Sequence, residues 1–140
     1  TVHSNNPREC LIRLETLALM TEGEVPVQAV RAQVAAAINI VVQLSRMQDG
    51  SRKITHISEG LGMDLQGNYK TQDIYLFEQS GRDKEGKVLG VLNPTGILPS
   101  FMREIEVNHL PFPKEMFSKR APMQQPPQAG PSANGNGHSL

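Results

Sequence analysis

Three turn signals in the middle of the chain constrain it most: Asp49-Gly50, the run 83–86 ending in Gly86, and Asn93-Pro94-Thr95-Gly96. Turns of this composition reverse the chain tightly, because glycine accepts the left-handed backbone that short hairpins need. Between and beside them, segments 53–59, 73–78 and 87–92 read as strands, with the glycine-containing stretch 60–68 as a connection. The middle of the chain is therefore expected to be a small antiparallel meander. Just upstream, Ile40, Val41, Val42, Gln43 and Leu44 are nearly continuous aliphatics. That pattern predicts a strand buried on both faces, as in a covered α/β sheet.

The first forty residues carry helical spacing instead. Asn6 can cap, Pro7 suits the first helical position, and Glu9 can reach back to the cap. Leu11, Leu14 and Ala18 then form an apolar stripe flanked by Cys10 and Leu17, while Glu9 and Arg13 are spaced for an i,i+4 ion pair. Gly23 is the expected end of this helix. A second helix is predicted from Pro26, with Val27, Val30, Val34 and Ile38 on one face and Gln28, Arg31 and Gln33 off it. A last helix from Pro99 would use Leu98, Phe101, Met102 and Ile105 as its inner face.

The 140 residues suit one domain, expected over 1–120. Residues 121–140 contain no Asp, Glu, Lys or Arg and are dominated by Pro, Gln, Gly, Ser and Asn. Such a stretch buries too little apolar surface to offset chain entropy, so it is expected to be a disordered tail.

Composition removes several classes of function. Formal net charge is zero, which gives no global attraction for nucleic acid. Cys10 is the only cysteine, so no internal disulfide and no CxxC zinc pair can form. It reads as a small core residue, with a reactive thiol as the alternative, and a reducing, cytosolic compartment fits. The longest apolar run, 34–44, is broken by Asn39 and Gln43 and falls short of the roughly 20 residues of a membrane span. The sequence has no GxxxxGK[ST] phosphate loop, no strand-end acid of the Walker B kind, no nucleophile elbow and no HExxH spacing. The four histidines, His3, His56, His109 and His138, are scattered. No metal site and no complete active site are expected within these residues.

The opening string Thr1-Val2-His3-Ser4-Asn5-Asn6-Pro7, followed by Arg13-Leu14-Glu15, resembles the histidine box of secretion ATPases. Gln43-Leu44-Ser45-Arg46, Asp49-Gly50-Ser51-Arg52, Ile54-Thr55-His56-Ile57-Ser58-Glu59 and Pro94-Thr95-Gly96-Ile97 resemble the Tad/CpaF branch of that superfamily, in the same order, to about residue 106. Cys10 stands where alanine is common, and the part of the family pattern that carries Walker A and Walker B has no counterpart here. The opening on Thr1 reads as a fragment starting inside the histidine box.

The resemblance implies the C-terminal part of a RecA-like domain in a hexameric motor. That motor would use ATP and Mg2+ to drive Tad/Flp-type pilus assembly or secretion from the cytoplasmic side of the inner membrane, against platform proteins of that membrane. His3 would be the histidine-box residue, near the γ-phosphate in the intact parent, and suited to coupling because its ring can both donate and accept. On its residues alone, a histidine on a strand-to-helix loop such as His3 is more often a surface or capping residue. Arg8 and Arg13 read as solvated helix residues or as reaching phosphate or an adjacent subunit. Arg46, Arg52 and Glu59 read as ion pairs within the β region or across a ring interface, and His56 and His109 as structural. Two rival readings remain: another traffic ATPase, from type IV secretion or conjugation, and a standalone non-catalytic interaction module.

Overall fold

The computed structural model describes residues 1–21 and 25–119. The expected helix end at Gly23, the tail at 121–140 and His138 lie outside the described residues. Within them the protein is a mixed α/β structure: a four-stranded sheet in the order β1-β2-β3-β4, antiparallel throughout, with three α-helices. The strands are β1 (Ile40–Arg46), β2 (Arg52–Met63), β3 (Tyr69–Arg82) and β4 (Val88–Pro94). The helices are α1 (Pro7–Thr21), α2 (Val27–Ala37) and α3 (Met102–Val107), followed by a 3-10 turn at Lys114–Phe117.

The three hairpins are closed by one device. In each, the first turn residue donates to the carbonyl of the fifth: Met47 to Ser51 (2.8 Å), Asp64 to Asn68 (2.9 Å) and Asp83 to Lys87 (3.0 Å). The fourth residue is always a glycine at positive φ, Gly50, Gly67 or Gly86, whose N–H returns to the first carbonyl. This is the type I turn with a left-handed glycine that suits the twist of paired strands. Asp64 and Asp83 reinforce it, each Oδ1 accepting the amides two and four residues on.

The strands outrun the sequence expectation. Residues 60–63 continue β2 rather than starting a loop, and β3 begins at Tyr69 and extends to Arg82. Glycine at position 60 is what allows this: a Cβ there would lie 2.5 Å from the carbonyl oxygen of Ile38, where α2 hands over to β1. Glycine spacing therefore marks a close approach of two backbones, not a break in the strand.

A second correction concerns β1, which is not buried on both faces. Val41 and Gln43 are buried, but Ile40, Val42 and Leu44 are 42%, 48% and 57% exposed. The reason is position: β1 is the edge of an antiparallel sheet, and α1 and α2 cover only one face of it. Leu11, Val41 and Tyr69 form that covered cluster, with Cys10, Leu14, Val34, Ala35 and Ile38 packed around it. Cys10 thus has a core role. Leu17 faces out because the inner line of α1 is Pro7, Leu11 and Glu15, and Val27, expected on the inner face of α2, is exposed at the first position of that helix.

The second cluster is Ile74, Met102 and Phe117, packed with Tyr75, Phe101 and Ile105. Leu98 is excluded from it and exposed. The Tyr75 hydroxyl donates to the Met116 carbonyl (2.7 Å), and Phe112 stacks on Phe117, so the segment after α3 is strapped back onto the sheet.

Asp49 joins the first and third hairpins. Its Oδ1 accepts the Ser51 amide and hydroxyl, and its Oδ2 accepts the Val88 amide at the start of β4. These bonds, the one from Val88 foremost, hold its carboxyl down at about 2, against an ordinary value of 3.8. A depressed folded pKa stabilises the fold above 3.8, and that contribution disappears as pH falls through about 2. Asp49→Asn keeps one acceptor oxygen where Ser51 and Val88 use two, and should lower Tm at pH 7. The gap from wild type should narrow steadily in melts between pH 4 and pH 2, and a gap independent of pH would contradict this account.

Candidate functional site

The loop carrying His3 is fixed at its C-terminal end and in its middle. At its C-terminal end Asn6 Oδ1 accepts the Glu9 amide (2.9 Å), the N-cap expected from sequence. Glu9 reaches back one residue further than expected, accepting from the backbone and side-chain amides of Asn5. That engagement replaces the anticipated Glu9–Arg13 pair, which is not formed among the described residues. In its middle the loop is tied to β1: the buried Gln43 donates to the Ser4 carbonyl (3.0 Å) and accepts from the Ser4 hydroxyl (3.3 Å). His3 itself projects into solvent beside this edge strand.

A second polar centre lies on the helix side of the sheet. Glu15, 7% exposed, receives Arg31 Nε at 3.0 Å and Nη2 at 2.8 Å, a two-pronged guanidinium–carboxylate pair. The Tyr69 hydroxyl adds a third donor at 2.9 Å. Arg31's hydrogen bonds hold the Glu15 carboxyl below its ordinary range, against the opposing effect of burial, and Glu15 in turn raises the Arg31 guanidinium. Burial first, then the bond to Glu15, push the Tyr69 phenol up. The centre opens on a shallow cleft of about 120 Å3 lined also by Arg8, Ile12, Gly67 and Asn68. Among the described residues no buried polar side-chain atom lacks a partner, and the centre is built to hold α1, α2 and β3 in register rather than to move protons.

Glu59 is a third such centre. It is 3% exposed, and its carboxylate accepts the Ser100 amide (3.0 and 2.9 Å to its two oxygens) and the Ser100 hydroxyl (2.5 Å). It therefore anchors the approach to α3 and pairs with neither Arg46 nor Arg52, contrary to the expected ion pairs within the β region. Those two arginines are exposed and face each other across the β1–β2 hairpin. Arg8 and Arg13 are exposed on α1, and His56 Nδ1 lies 3.0 Å from Thr55 Oγ1 on β2. His109 follows α3 at φ 53°, a turn position. Through Thr55 Oγ1, His56 joins a short polar chain with Ser45 Oγ (3.1 Å), and among the described residues no three His, Cys, Asp or Glu side chains are grouped to hold a metal. No helix among them is long and apolar enough to cross a membrane.

Sequence reasoning placed Arg31 off the inner face of α2 and did not single out Tyr69. One signal for Glu15 was available: it lies four residues beyond Leu11 on the helix's inward line, where an acid demands a partner. Compared with known proteins, the chain matches no family model and no curated protein.

Tyr69→Phe removes one charge-assisted hydrogen bond at nearly constant volume and should cost about 1.5–3 kcal/mol in urea unfolding. Glu15→Gln should lower Tm further, because it leaves the guanidinium without its counter-charge. Glu15's lowered pKa means its stabilising contribution is complete above 4.5 and is lost on acidification, so Glu15→Gln should differ least from wild type at the acid end. Equal Tm values for Tyr69→Phe and wild type would show the centre to be dispensable.

Proposed function

We propose that this chain is the C-terminal portion of a hexameric Tad/CpaF-type ATPase that powers pilus assembly or protein secretion. It would supply the RecA-like domain's last strands and helices together with the histidine box. The observation that carries the reading is the pairing of Ser4 with Gln43, which holds the His3 loop against an edge strand with apolar side chains uncovered. In the parent, a strand from the part preceding Thr1 would pair with the backbone of that edge, and the sheet would continue into the nucleotide-binding half.

The phosphate cradle is not among these residues, because no GxxxxGK[ST] sequence occurs in them. ATP and Mg2+ therefore belong to the parent, and residues 1–140 are expected to turn over no ATP. The partners of this reading are five further copies in a ring and inner-membrane platform proteins, on the cytoplasmic side, with no role for nucleic acid. A traffic ATPase of type IV secretion or conjugation remains the nearest rival within the class. The exposed strip Ile40, Val42 and Leu44 favours a second reading from another class, a non-catalytic module that binds a secretion partner through this face.

The reading frame upstream of Thr1 separates these readings. A continuous frame encoding GxxxxGKT supports the motor, whereas a start codon at Thr1 supports the module. In an intact parent, His3→Ala should keep ring assembly and near-normal ATP affinity while losing most hydrolysis. Loss of one directed contact worth roughly 2 to 4 kcal/mol slows turnover by about thirty- to a thousand-fold. A Gln replacement, which keeps a donor and an acceptor, should be milder. Normal hydrolysis by a folded His3→Ala parent would reduce His3 to a loop residue.

A further inference from the structure

At the end of the sheet formed by the first and third hairpins, two arginines stand opposed and, among the described residues, form no ion pair. Arg46 and Arg52 are direct partners across β1 and β2. The ladder bond at Met47 and Ser51 makes the neighbouring Arg46–Arg52 pair a non-hydrogen-bonded one, the geometry in which facing side chains stand closest. Like charges placed this way destabilise a sheet, since each raises the electrostatic energy of the other. Both are exposed, and among the described residues neither lies within ion-pair distance of a carboxylate. The Arg46 guanidinium folds over the turn, its Nη2 only 3.7 Å from where a Gly50 Cβ would stand.

The acids at this end are already engaged. Asp49 spends both oxygens on Ser51 and Val88, Asp83 accepts the amides of its own turn, and Glu85 pairs with Lys87 at 2.9 Å. A third guanidinium, Arg82, donates only to neutral oxygens, Gln48 Oε1 across the gap between hairpins and the Gly86 carbonyl. Arg82 thus reaches the turn that joins Arg46 to Arg52, and among the described residues none of the three forms an ion pair.

We infer that Arg46 and Arg52, backed by Arg82, bind a phosphate-bearing ligand at the hairpin end of the sheet. Guanidinium groups match phosphate oxygens in planar, two-pronged contacts, and a phosphate monoester brings a charge near −2 at neutral pH. One carboxylate brings a single charge and would leave the opposed pair half neutralised, which favours phosphate over an acidic side chain. The site is independent of the motor reading and requires no phosphate loop.

The test is a titration of the full chain with inorganic phosphate, pyrophosphate and ATP at low salt, followed by amide and guanidinium NMR. Saturable shifts confined to 46–52 and 82–88 are expected. Tighter binding of ATP than of pyrophosphate would identify a nucleotide as the source, and equal binding would identify the bare phosphate group; both support the site. Arg46→Gln and Arg52→Gln should each weaken binding about tenfold or more while leaving the fold intact. Because each also relieves the opposed charges, neither should lower Tm, which separates a ligand role from a structural one. Shifts spread over all basic residues, or binding unchanged in both variants, would overturn the proposal. So would a poly-glutamate peptide that competes as strongly as pyrophosphate, since that result assigns the pair to an acidic protein partner.

Discussion

The Glu15 carboxylate is the constraint on which the arrangement of helices over sheet depends. A carboxylate at 7% exposure loses most of its hydration, and the loss is tolerable only if fixed donors replace it. Arg31 arrives from α2 and Tyr69 from the start of β3, so one side chain of α1 fixes the position of two other elements. Apolar contacts among Leu11, Val41 and Tyr69 supply attraction but little direction, because aliphatic surfaces slide at small cost. The three donors around Glu15 specify one register of α1 on the sheet. Tyr69 serves both purposes, its ring in the apolar cluster and its hydroxyl in the polar one.

The opposite face follows a related rule with different parts. Glu59 is as dry as Glu15 but meets no cation, and its neutral donors come from Ser100 alone. That places the lead into α3 over the sheet, where Met102 and Phe117 then close the second cluster. The two carboxylates therefore act as pegs on either side of one sheet. Each gives the segment that reaches it a directional bond that apolar contact alone does not supply. Another buried polar side chain, Gln43, performs the same task for the His3 loop.

What could be read from the sequence was local. The Asn6 cap, Pro7, the Asp-Gly turn and the helix-spaced valines of α2 are determined within a few residues, so the elements and their antiparallel order were legible. The turn D-x-x-G-x at 64–68 carries the same signal as the one at 83–87, yet the flanking glycines masked it as a longer loop. The burial of β1 was misjudged because aliphatic content reports the capacity to be covered, not the presence of a covering layer. Ile40, Val42 and Leu44 have that capacity, and within these residues only the Val41 and Gln43 side is used. Pairings between distant residues, Glu15 with Tyr69 or Glu59 with Ser100, lie 54 and 41 positions apart and leave no periodic trace.

The uncovered side of β1 and the opposed arginines at its end bear on function in different ways. An edge strand that displays aliphatic residues invites pairing with any other strand, and natural sheets normally guard such edges with charge, proline or a bulge. Here the irregularity opposite Gln43 and Leu44 falls on β2, and the only charge on β1 is Arg46, at its last position. The ladder places Asn39 and Met47 toward β2, so Ile40, Val42, Leu44 and Arg46 turn their amides to the open side. A sheet left in this condition is consistent with an edge that a further strand occupies in a larger assembly, which is the premise of the motor reading. Arg46 then stands at the end of such a strand, its backbone open to pairing while its side chain projects from the face of the sheet. The edge and the arginine pair can be occupied at the same time, one by a strand and the other by an anion, and neither occupant competes with the other.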